Sequence, residues 1–230
     1  MKKLNMLKIT GVLIVLLSIS SCSEDPLKEI RNLANSKDIE TKQEASEYYD
    51  LVIDTLVQAY SSQAVLNRDI GLKLMLKEQF RPAVRHFNLA KEIRGTDAWI
   101  YYRLGVCYAN IFKYEKDRDA LVLAKINYQT ALNIKPDAKE FLYAYAQLLV
   151  FGTGEYDEAV GVLKKYLFEL KVPDPNGYFL LGRAYYILEN YEEAYRVYND
   201  ALQYKNELSD DELNSLNEFI ETTGRILSNE

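Results

Sequence analysis

The stretch that decides the fold is PNGYFLLGRAYYILENYEEAYRVYNDALQYKNEL, residues 175–208. Its first half carries Tyr178, Leu181, Gly182 and Tyr185, spaced three or four apart along one stripe of an α-helix. Its second half keeps that spacing with Ala194, Tyr198 and Ala201, and Asn190 falls between the two runs, where a turn is expected. Two amphipathic helices joined by a short turn are therefore predicted, and neither can bury its apolar stripe alone.

The same frame recurs upstream. In residues 64–97 the equivalent places hold Ile70, Gly71, Leu74, Phe80, Ala83, Phe87 and Ala90, with Asn67 where an aromatic would stand. In 98–138 they hold Tyr101, Leu104, Gly105, Tyr108, Ala124, Tyr128, Ala131 and Pro136, with seven extra residues between the halves. Two helical turns are added, so both helices should be longer and meet near Tyr114 to Asp119. The copy in 139–174 is the least regular: Leu142, Tyr145, Ala146 and Leu149, then Tyr156, Ala159, Leu163 and Tyr166. Its turn is expected at Gly152-Thr153-Gly154, and Pro136 should end the helix before it.

Glycine inside a helix costs ~1 kcal/mol relative to alanine, so Gly71, Gly105 and Gly182 at one repeat position need a packing reason. A missing side chain lets the paired helix come close, while Ala83, Ala124, Ala159 and Ala194 do the same from the other side. This arrangement of aromatic, Leu-Gly, aromatic, then Ala-x3-aromatic-x2-Ala resembles the tetratricopeptide repeat family over roughly residues 64–208. The closing proline is absent from the last copy, where Asn206 stands. The resemblance implies an all-α solenoid of tandem antiparallel helix pairs, wound into a right-handed superhelix with a concave groove.

Both ends of this array have a reading. Ser209 and Glu212 form a capping box opening a helix to about Leu227, suited to cover the last apolar face of the solenoid. In residues 22–63, Ala45, Tyr48, Tyr49, Val52, Leu56 and Tyr60 recur at helical spacing, giving a long amphipathic helix and a degenerate first hairpin, opened by an Asp25-Pro26 cap.

Residues 1–21 read as a signal peptide: Lys2, Lys3 and Lys8 precede an apolar run from Ile9 to Ile19. A spanning helix needs roughly 20 apolar residues, more than this run supplies. Ile19-Ser20-Ser21-Cys22 resembles the lipobox of bacterial lipoprotein precursors, which implies acylation of Cys22 and a lipid anchor in the cell envelope. Ser23 is compatible with outer-membrane sorting where that rule applies, so the outer membrane is the expected site. Removing 1–21 takes away three lysines and no acid, leaving 25 basic against 34 acidic residues, a net charge of -9. Nucleic acid, which needs a basic face, is an unsuitable partner.

The chemistry of catalysis is sparse. His86 is the only histidine and reads as a helical residue between Ala83 and Phe87. Cys107 follows Leu104-Gly105 on a first helix and reads as a small buried filler. Gly152-Thr153-Gly154 lacks the strand before it that a phosphate loop requires, and the acidic run from Glu115 to Asp119 lacks the glycine and final glutamate of a calcium loop. No enzymatic activity, cofactor or metal is expected.

In the tetratricopeptide family the second, fifth, ninth and twelfth positions of each first helix line the concave face. The resemblance assigns that role to Arg68, Leu72 and Met75; Trp99, Tyr102 and Val106; Tyr143 and Gln147; and Phe179, Arg183 and Tyr186. The lysine and asparagine clamp with which some members grip a partner's C-terminal carboxylate is missing. An aromatic groove with isolated arginines suits an extended peptide or helix of a partner protein. Alternatively Tyr143, Phe179 and Tyr186 pack beneath the C-terminal helix. A second function remains open: a lipoprotein associated with a tripartite transporter, with the aromatics enclosing a small apolar ligand.

Overall fold

The computed structural model describes residues 27–228. The signal segment, Cys22 and the Asp25-Pro26 cap lie outside the described residues. Among those described there are ten α-helices and no strand: α1 Lys28–Ala34, α2 Ile39–Leu76, α3 Phe80–Ile93, α4 Ala98–Glu115, α5 Arg118–Ile134, α6 Lys139–Leu148, α7 Tyr156–Lys164, α8 Pro175–Ile187, α9 Tyr191–Ala201 and α10 Asp210–Leu227. They fall into two compact units divided between Gln63 and Ala64.

In the first unit α1 buries Ile30, and the start of α2 buries Ala45. Asp38 caps α2: its Oδ2 accepts from the Thr41 backbone N at 2.9 Å and from the Thr41 hydroxyl at 2.8 Å. The long helix expected in residues 22–63 continues past residue 63, α2 running for 38 residues. No glycine or proline occurs from Ile39 to Ile70, so nothing in that run interrupts the helix. The stripe of apolar residues read there is left largely open, with Leu56 62% and Tyr60 60% exposed.

In the second unit the end of α2 pairs with α3, α4 with α5, α6 with α7 and α8 with α9. From α3 to α10 each helix packs on the next in sequence, and the first helices α4 and α6 also touch. Contacts within hairpins and between neighbouring hairpins make a solenoid. Polar side chains set the starts: Asp97 accepts from Trp99 N, Asp117 from Asp119 N and Ala120 N, Asp174 from Asn176 N and Asn190 from Glu193 N. Ser209 and Glu212 complete a reciprocal capping box. Each hairpin turns through one left-handed residue, successively Glu78, Lys116, Gly154 and Glu189.

The packing reason for the glycines is direct. A Cβ on Gly71 would stand 2.8 Å from the Phe87 ring, one on Gly105 2.7 Å from the Tyr128 ring, and one on Gly182 closer still to Tyr198. Each glycine thus receives an aromatic ring from its hairpin partner. The third hairpin breaks the rule on both sides together: Ala146 holds the glycine's place and Leu163, smaller than a ring, the aromatic's, both in one buried cluster.

That hairpin is also two residues longer than the 34 of the first and fourth. The helices absorb the excess as two π-helical turns, Leu149–Thr153 closing α6 and Lys165–Glu169 closing α7. A π-turn accommodates one extra residue without ending the helix. The second hairpin instead spends its insertion on length, with 18 residues in α4 and 17 in α5 against 13 in α8 and 11 in α9. In the last repeat, where proline is missing, α9 runs into a 3-10 turn, Leu202–Glu207, before α10 begins. The α10 helix lays Leu216, Phe219 and Ile220 on the last hairpin.

Candidate partner-binding face

The residues expected to line the groove do not share one environment. Arg68 is held by Asp69, Nη2 to Oδ1 at 3.0 Å. Leu72 and Met75 are half-buried against the cluster built on Ala83 and Phe87. Tyr102 lies flat on Phe141, centroids 4.7 Å apart, and leans on Tyr128 at 6.0 Å, so much of its ring belongs to the core. Val106 is half-buried beside the next cluster, and Gln147 is exposed. Tyr143 tilts against Tyr166 at 5.6 Å.

Trp99 differs from these. Asp97 caps the first turn of α4 on its backbone N, and its ring meets Tyr102 and Phe141 edge-on at 5.7 and 4.9 Å. The ring is held yet 37% exposed. Two cations reach it, Arg103 at 5.9 Å and Lys135 at 5.6 Å from the centroid. The family's groove positions point to neither, since Arg103 sits one residue past such a position and Lys135 follows the last residue of α5. Cation contacts of this kind contribute ~0.5–1 kcal/mol at exposed sites and fix the ring further.

At the C-terminal end, Phe179 and Tyr186 meet Phe219 of α10 edge-on at 5.3 and 6.3 Å. These two therefore pack against the C-terminal helix, the alternative that the sequence left open for them. Arg183 lies between them in sequence and stacks its guanidinium over Phe151 at 5.2 Å, while its Nε is sealed from solvent without a hydrogen-bond partner. Phe151 went unread in the sequence. It sits in the π-turn of α6, where the extra residue breaks the helical frame, and it is 60% exposed.

The two residues weighed for chemistry are placed structurally. Nδ1 of His86 is 2.9 Å from Oδ1 of Asn67, a bridge between α3 and α2 at the place where the family carries an aromatic. Burial pushes the Cys107 thiol up to about 12, which suppresses the reactive thiolate near neutral pH. Among the described residues no group of three or more His, Cys, Asp or Glu could hold a metal, and no helix is long and apolar enough to cross a membrane. Gly152 and Thr153 lie in the π-turn, with Gly154 as the left-handed residue after it.

A one-dimensional stack of antiparallel helix pairs, with small residues seating rings from the paired helix, defines the class of α-solenoid repeat proteins. The chain carries a match to the tetratricopeptide repeat over residues 175–208. It is similar in fold to MamA from Desulfovibrio magneticus RS-1, at 19% identity over 73% of this chain and 97% of that one, TM-score 0.56. PilF of Pseudomonas aeruginosa is similar at 17% identity over 72% and 69% of the two chains, TM-score 0.56. YrrB, described as a tetratricopeptide protein with an unusual peptide-binding site, is similar at 22% identity over 82% and 91%, TM-score 0.53. No curated protein matches the sequence.

Proposed function

We propose that this chain is a non-catalytic scaffold of the bacterial cell envelope, lipid-anchored through Cys22, that holds an extended segment of a partner protein along its first-helix face. The observation carrying the partner half is Trp99, a large ring immobilised by two aromatic neighbours and two cations yet still uncovered. A ring fixed in advance loses little freedom when a partner covers it, which is what an interface hot spot requires. The peptide-binding site ascribed to YrrB supports the same use of the fold. The anchor half rests on the lipobox-like Ile19-Ser20-Ser21-Cys22 and on the lysines and apolar run before it. Two or more acyl chains suffice for stable attachment without a basic patch.

Crosslinked pull-down from native membranes tests the first half. Trp99→Ala should lower partner recovery at least tenfold with the melting temperature within a few degrees of wild type; undiminished recovery would remove Trp99 from the interface. For the anchor, Cys22→Ser should abolish labelling by a palmitate analogue and leave an unprocessed precursor. Normal labelling of that variant would end the lipoprotein reading.

A further inference from the structure

Between the N-terminal turns of α8 and α10 a cavity of about 240 Å³ opens beside Phe179. Pro175, Phe179, Leu208 and Leu216 supply its apolar walls, and Asp211 and Glu212 stand among its lining. No lysine, arginine or histidine lines it. The volume is several times the ~30 Å³ share of one water. It is also below the ~300 Å³ at which small-molecule pockets begin, so one side chain fits better than a free organic ligand.

Its charge is one-sided. The Glu212 carboxylate accepts from Ser209 N at 2.8 Å and from the Ser209 hydroxyl at 2.7 Å, bonds to neutral groups that leave its charge in place. Neither Asp211 nor Glu212 takes part in a salt bridge among the described residues. The cavity also adjoins the first-helix face, since Phe179, one of its walls, stands at an expected groove position.

We infer that this cavity seats one large apolar side chain of the bound partner segment, flanked in that segment by a lysine or arginine that pairs with Asp211 and Glu212. The inference rests on the reading of the first-helix face as a peptide groove. It assigns the C-terminal end of that groove a preference for basic, apolar sequence.

The probe is a displayed library of random twelve-residue peptides selected on the full chain in detergent. Wild type should enrich peptides with an apolar residue beside Lys or Arg. Ser215→Trp, which places bulk in the lining from an exposed position, should weaken the enriched peptides at least tenfold. Asp211→Lys should reverse the charge preference and keep the apolar one. Peptides that bind both variants as they bind wild type, yet lose binding in Trp99→Ala, overturn the cavity assignment and leave the groove standing. Failure to enrich any peptide on wild type overturns both. A wild-type dimer in sedimentation that Ser215→Trp converts to monomer makes a second copy the occupant, and the proposal falls.

Discussion

Tyr198 shows what the repeat asks of a single residue. Its ring fills the space left by Gly182, but its hydroxyl is buried with no hydrogen-bond partner. An unsatisfied buried polar group costs about 1–3 kcal/mol. The first hairpin solves the same contact with Phe87, which carries no hydroxyl. Tyr198→Phe should therefore stabilise the chain by ~1 kcal/mol. Gly182→Leu should destabilise it by about 1–3 kcal/mol through overpacking. Both are read by urea unfolding, and a neutral Gly182→Leu would contradict the close approach of ring to backbone. The glycine and ring pairing was legible in the sequence because it recurs in a fixed frame. Trp99 was legible for the same reason, whereas Arg103, Lys135 and Phe151 were not, since packing across helices or a broken frame places them.

At the scale of the element, the sequence placed three hairpin turns, at Tyr114 to Asp119, at Gly152-Thr153-Gly154 and at Asn190, and one helix start among the described residues. The Ser209 and Glu212 box announces α10, because capping chemistry is local. The left-handed residues of the turns carry no comparable mark, as three of the four are Glu or Lys, which that conformation disfavours. The two π-turns showed only as the irregularity of residues 139–174, for an extra residue in a helix has no composition of its own. The run of α2 through residue 64 went unread because the repeat frame suggested a boundary where the backbone had no reason to turn. The capping carboxylates make a pH prediction. Backbone hydrogen bonds to Thr41 and to Ala120 hold Asp38 and Asp117 below their ordinary range, and the Ser209 hydroxyl does so for Glu212. The folded state binds these protons less readily than the unfolded chain, whose carboxylates titrate near ~4. Their stabilisation is complete above about pH 4.5 and is lost as pH falls through the depressed folded values. Glu212→Gln should flatten that acid slope in melting curves taken from pH 6 to pH 3; an unchanged slope would deny the cap its role.

The second compact unit follows the rule of a linear stack, in which each hairpin is stabilised by its neighbours. The tie between hairpins is apolar packing, with exposed bridges such as Arg81 to Glu115 and Asp117 adding little. The outer end of such a stack is a cut face, and here α10 covers it with Leu216, Phe219 and Ile220. Removal of residues 209–230 should uncover Phe179, Tyr186 and Tyr198, lower the melting temperature, and give concentration-dependent light scattering. A truncated chain that stays monodisperse would show the cover to be dispensable. The reverse side of α10 carries Asn214, Glu218, Glu221 and Arg225, all of them exposed. A helix greasy on one side and ionic on the other offers a further hairpin no apolar stripe to pack on. Another copy meets charge there, so neighbouring copies need not knit end to end into fibres.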